Sequence, residues 1–153
     1  MGSTIIEPPY VFVADTTEGL TMDSVALREP IGELWSIDSD GTGLIVGGAD
    51  QAADVGVVAW TSGDPSVLSD WQVWMVDDLA SGFTWVRGVC RNGDNLAAAA
   101  EFPTSSTGLL LVSRDGGQTW SDRTPEDAPS LSQCTWRGDD LLVTGAEGYF
   151  RAL

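Results

Sequence analysis

The sequence predicts an all-β protein made of repeated antiparallel sheets. Three observations carry that expectation: short alternating apolar runs, turn residues closing each run, and a recurring segment. The runs are Tyr10–Ala14, Leu44–Gly47, Asp54–Ala59, Leu109–Ser113 and Asp140–Thr144. Each is of strand length, alternates between apolar and polar or small residues, and stops at Gly, Asp, Asn, Ser or Pro. With 18 Gly, 7 Pro and 7 Trp in 153 residues, the composition suits short strands and tight loops better than a helical bundle. Only Val67–Leu79 also carries a helical spacing. Its Trp71, Val73 and Met75 alternate as a strand does, and a strand is the expectation.

The repetition sets the architecture. ELWSIDSDGTGLIVGGAD from Glu33, TWVRGVCRNGDNLAAAAE from Thr84 and SQCTWRGDDLLVTGAEG from Ser132 share one plan: a strand, a turn with Gly and an acid, then an apolar strand. Gly41, Gly93 and Gly138 align, 52 and 45 residues apart. A period of about 40 to 50 residues matches one four-stranded blade of a β-propeller, and exceeds leucine-rich, ankyrin and tetratricopeptide periods. The chain thus reads as one propeller-repeat domain. It holds a partial blade at residues 10–27, whole blades at 31–79 and 83–128, and a partial blade at 131–153.

Charge excludes several classes of partner. Asp and Glu number 23 against 7 basic residues, all Arg, for a net charge of -16. Such a surface repels phosphate backbones and anionic membranes, so neither nucleic acid nor a membrane surface is an expected partner. No apolar run approaches the roughly 18 residues of a membrane-spanning helix. MGSTIIEPPY lacks the layout of a secretory signal, and Met1-Gly2-Ser3 reads as an appended leader, so the compartment stays open: cytoplasmic, or exported with the signal removed. With no His, and Cys90 and Cys134 far apart in sequence, Cys-His metal or catalytic sites are excluded; two buried free thiols are the expectation, beside the alternative of a disulfide. No cofactor or metal is expected. A calcium loop needs acids at its first, third and fifth positions and Gly at the sixth; in DSDGTG, Asp38–Gly43, Gly41 already occupies the fourth, and the segment reads as a turn.

The most specific motif is SRDGGQTW, Ser113–Trp120. Asp115 can accept N–H bonds within its own turn, and the glycines supply positive φ. Ser113 and Thr119 can bond locally, and the Trp120 indole can fold beneath the loop. The pattern S-x-D-x-G-x-T-W, on Ser113, Asp115, Gly117, Thr119 and Trp120, resembles the Asp-box of sialidase-type and photosystem-assembly-factor-type β-propellers. That resemblance implies a structural staple at the hairpin between the third and fourth strands of a blade. TSGDPSVLSDW, Thr61–Trp71, is a worn copy; VFVADTTEGLTM, Val11–Met22, is another, with Met22 in the place of Trp.

The resemblance also raises a glycosidase reading, which needs an arginine cluster, a Tyr nucleophile with a Glu partner, and an acid. Only Tyr10 and Tyr149 are present, and the adjacent acids Asp77-Asp78 and Asp139-Asp140 point to opposite strand faces. The expectation is a non-catalytic binding or scaffold module for a protein or glycan ligand, with a carbohydrate-active module as the rival. First strands of propeller blades line the central channel, so Trp35, Trp85, Arg87 and Arg137 are the candidate ligand-contacting residues, with Arg91 beside them. The tryptophans otherwise read as packing between blades. About three blades cannot close a ring of four to eight. The expectation is a six-bladed ring from two copies, the hairpin 10–27 of one completing the blade begun at Leu131 of the other. GYFRAL, Gly148–Leu153, competes for that place, since it reads as a third strand of the same blade.

Overall fold

The computed structural model describes residues 10–15, 21–26, 32–50, 53–79 and 82–153, all strand, turn or single-turn 3-10 helix. Strands β1 (Tyr10–Asp15) and β2 (Thr21–Ala26) form a two-stranded antiparallel hairpin. Its turn, residues 16–20, and the leader read at residues 1–3 lie outside the described residues. The first four-stranded sheet contains β3 (Glu33–Ser39), β4 (Leu44–Asp50), β5 (Val55–Thr61) and β6 (Trp71–Met75), in that order. The second repeats the plan with β7 (Trp85–Asn92), β8 (Asn95–Phe102), β9 (Thr107–Ser113) and β10 (Ser121–Asp122). The third has β11 (Leu131–Arg137), β12 (Asp140–Gly145) and β13 (Phe150–Ala152). The ambiguous stretch 67–79 is strand over Trp71–Met75, flanked by 3-10 turns at Leu68–Asp70 and Val76–Asp78.

Register shows how closely the sheets repeat. Ser36 pairs with Gly47, Gly88 with Ala99, and Gln133 with Thr144; each first strand shifts register just before that pair, at Leu34/Ser36, Val86/Gly88 and Leu131/Gln133. These offsets, 52 and then 45 residues, are the ones that align Gly41, Gly93 and Gly138. All three glycines have positive φ (84°, 60° and 62°), which a tight hairpin requires and other residues adopt at a cost.

First strands pack in sequence order, β3 on β7 and β7 on β11. Because strand residues alternate between faces, β7 sends Val89 and Arg91 toward the first sheet and Gly88 and Cys90 toward the third. Two cores result. One joins Ile45, Val58 and Trp60 of the first sheet to Val86, Val89, Leu96, Ala98 and Leu111 of the second. The other joins Cys90, Ala97, Ala99, Leu110 and Val112 to Leu131, Leu141 and Val143 of the third. A smaller cluster of Val46, Val57, Ala59 and Trp71 lies on the opposite face of the first sheet.

Cys90 and Cys134 are not free thiols. They form a disulfide between β7 and β11, with Cα atoms 5.7 Å apart. The expectation failed because two cysteines 44 residues apart give no local sign of pairing; the stacking of consecutive repeats brings them face to face.

Candidate functional site

The SRDGGQTW loop joins β9 to β10, the third and fourth strands of the second sheet. The Ser113 hydroxyl donates to Asp115 Oδ1 at 2.8 Å and accepts the Gly117 N–H at 2.9 Å. Asp115 also accepts the Thr119 N–H on Oδ1 at 2.9 Å and the Thr119 hydroxyl on Oδ2 at 2.6 Å. The Thr119 hydroxyl first, then its N–H and the Ser113 hydroxyl, hold the Asp115 pKa down to about 2. This carboxylate is ionised and committed to its own loop.

What lies under the loop comes from the neighbouring sheet. Trp60 of β5 donates its indole N–H to the Gly116 carbonyl at 2.9 Å. A Cβ on Gly117, whose φ is 90°, would sit 2.2 Å from the Trp60 ring. Trp120 leaves its own sheet to stack on Trp74 of β6, with centroids 4.9 Å apart and planes 7° from parallel, and meets Trp60 edge-on at 5.7 Å. In the shorter-range counterpart, Thr61 accepts the Gly63 N–H at 3.0 Å and Trp71 donates to the Pro65 carbonyl at 3.0 Å. The loop that follows Ser113 therefore clamps two sheets, whereas these contacts of 61–71 stay local.

A second aromatic group lies at the opening ends of the first strands. The Arg87 guanidinium sits 4.3 Å from the Trp85 ring centroid and 4.7 Å from that of Trp35, and forms an ion pair with Glu101 at 2.7 Å. Trp35 meets Trp85 edge-on at 5.8 Å, Phe83 meets Trp85 at 5.2 Å, and the Trp35 indole N–H donates to Glu33 at 3.0 Å. Trp35 and Trp85 are half-buried and touch none of the core clusters, whereas Trp60 and Trp71 are buried within them and the half-buried Trp74, Trp120 and Trp136 pack against them. Arg87 and Glu101 wall an open cleft of about 400 Å³, continued by Ser130–Gln133, Gly145 and Ala146 of the third sheet.

Two arginines expected near this group are elsewhere. Arg137, 73% exposed, pairs with Asp140 across its own hairpin at 3.1 Å. The side chain of Arg91 is 4% exposed; it donates to the Thr61 carbonyl at 2.8 Å and to Ser62 and Asp40. For Arg91 the cause is distance along the strand: it stands four residues beyond Arg87, which occupies the register shift between Val86 and Gly88 at the opening end of β7. Asp40 does more than close the turn expected at Asp38–Gly43. It accepts the Thr42 N–H at 2.8 Å and the Thr42 hydroxyl at 2.7 Å, and also the Gly93 N–H of the next sheet. Burial raises its pKa, but Thr42, the Gly93 N–H and Arg91 outweigh that and bring it to about 2. No signal in one hairpin reveals this link, because its partners are a whole repeat away. Among the described residues, no group of three or more His, Cys, Asp or Glu is placed to hold a metal ion. Nor is any helix long and apolar enough to cross a membrane.

These sheets, stacked through their first strands, define an all-β fold of the β-propeller kind. One solved structure that shows the likeness is "YCF48 bound to D1 peptide", at a TM-score of 0.63 and 14% identity over 94% of this chain. This chain spans 39% of that protein's length. The computationally designed Ika4 protein aligns over 83% of this chain and 94% of its own at 8% identity, but its TM-score of 0.39 carries no argument. No family model matches the chain, and no curated protein matches it in sequence.

Proposed function

We propose that this protein is a non-catalytic binding module of the Asp-box β-propeller type, and that its ligand surface is the Trp35–Arg87–Trp85 group with the adjoining cleft. The observation that carries the reading is the division of the tryptophans. Trp60 and Trp71 are buried, and Trp74, Trp120 and Trp136 pack against the core clusters, while Trp35 and Trp85 stay half-exposed outside every cluster, around a guanidinium held by Glu101. Half-exposed aromatics with an ordered Arg are the residue types that dominate protein and peptide recognition. The fold neighbour YCF48, solved with a D1 peptide, makes a peptide the first ligand class to try. Panning the immobilised protein against a random peptide library should enrich binders whose affinity falls by roughly tenfold or more in Trp35→Ala and Trp85→Ala. No enrichment, or binding indifferent to both changes, overturns the reading. Half-exposed indoles also favour the rival, a glycan-binding surface, which a glycan array distinguishes. Tyr149 packs on the second core with its hydroxyl buried, which counts against it as a glycosidase nucleophile.

Under the same proposal the SRDGGQTW loop is an Asp-box with a structural role for Ser113, Asp115, Gly117, Thr119 and Trp120. The sheets at 31–79, 83–128 and 131–153 act as blades, and a second copy completes a six-bladed ring. The β13 strand already pairs with β12 at the place expected for the partner's hairpin, so the partner's hairpin would join outside it. The disulfide supports an oxidising compartment.

A further inference from the structure

We infer that self-association, which this step takes from the proposed function, occurs through one defined contact: β11 of one copy against β3 of a second copy. It reproduces the contact already made twice within the chain. In the first, the Ser36 hydroxyl accepts the Val89 N–H at 3.1 Å and Asp38 accepts the Arg91 N–H at 2.9 Å. In the second, Cys90, which aligns with Asp38, bonds to Cys134, which aligns with Val89. Each first strand thus presents one side chain row forward to the next sheet and receives the previous sheet on the other row.

The ends of this series are complementary. At β3 the receiving residue is Ile37, which aligns with Val89 and Cys134. Val89 is buried at 5%, whereas Ile37 is 59% exposed. At β11 the forward row is Gln133, Thr135 and Arg137, all exposed, in line with Gly88, Cys90 and Asn92. Register places Leu142 beside Thr135, and Phe150, 63% exposed, in the row of Thr144 and Gln133. Exposed apolar residues at both ends, at aligned positions that are buried inside the chain, are what an unfilled repeat contact leaves.

Polar chemistry agrees. The Asn92 side-chain amide donates to the Gly138 carbonyl of the following hairpin at 2.9 Å. Arg137 aligns with Asn92, and Gly41 with Gly138, so Arg137 would donate to the Gly41 carbonyl of the second copy, beside Asp40. A cation there meets an acidic loop, a favourable pairing in a chain of net charge -16. Two copies form it twice about a two-fold axis, β11 of each against β3 of the other.

Alignment also supplies the test. Residues 135 and 37 occupy the places of Cys90 and Cys134, so Thr135→Cys in one copy and Ile37→Cys in another should join as that native pair does. Mixing the two single variants under mild oxidation should give a covalent dimer on a non-reducing gel. Ile37→Cys alone should not link to itself, and circular dichroism checks that the variants fold. Sedimentation of the unaltered chain up to about 100 µM, a range suited to weak association, should show twice the single-chain mass. A single-chain mass throughout, with no link, ends the self-association reading. Doubled mass without the 37–135 link leaves that reading standing and overturns this contact.

Discussion

The two sheet junctions solve one geometric problem with opposite chemistry. Between the first and second sheets, Ser36, Asp38 and Asp40 reach backbone N–H groups of 89, 91 and 93, Arg91 is buried against Thr61, and three indoles close the outer side. Between the second and third, the aligned residues are Gly88, Cys90 and Asn92. Gly88 lets the backbones approach until a Cβ there would lie 2.5 Å from the Ser132 carbonyl oxygen, and a disulfide replaces the acid. The lesson is that repeats need a contact of fixed geometry, and that ionic pegs or a covalent bond within an apolar core both supply it. The first junction should therefore answer to acid and the second to reductant.

Four experiments break or sharpen that contrast. Arg91→Ala should have the largest effect, about 3–5 kcal/mol by denaturant titration, because it strands buried acceptors and removes the cation beside Asp40. Replacing both cysteines by Ser should cost about 2–4 kcal/mol, since the bridge closes a 44-residue separation. Reductant should reproduce that loss in the unaltered protein and have no effect on the double variant. Gly117→Ala should cost about 2–3 kcal/mol, combining a positive φ with an indole 2.2 Å from the new Cβ; a thermal melt reads it.

The smallest effect is an acid limb. Asp40 and Asp115 have pKa values of about 2 against an ordinary 3.8, so the folded state binds fewer protons than the unfolded one. Their stabilisation is complete above pH 4 and declines as pH falls through about 2. Asp40→Asn should flatten part of that limb, and the double Ser variant should leave it intact. Equal flattening by both changes would erase the distinction between the junctions.

Much of the repeat was legible because it is local. The strands, the turn glycines at 41, 93 and 138, and the SRDGGQTW loop all follow from period-2 patterning and from residues that bond within a few positions of themselves. Trp60 beneath Gly117 was not legible, nor was Asp40 on Gly93, since each partner sits a repeat away.

By itself the sequence determined an all-β chain with one repeating register, since alternation and turn residues act through the backbone next to them. Only the tertiary structure decided which tryptophans are packing and which are surface, that Arg87 rather than Arg137 joins Trp35 and Trp85, and that Cys90 meets Cys134. Those outcomes depend on how one sheet lies on the next, and that stacking joins residues 44 to 56 positions apart for which no neighbouring residue carries a sign.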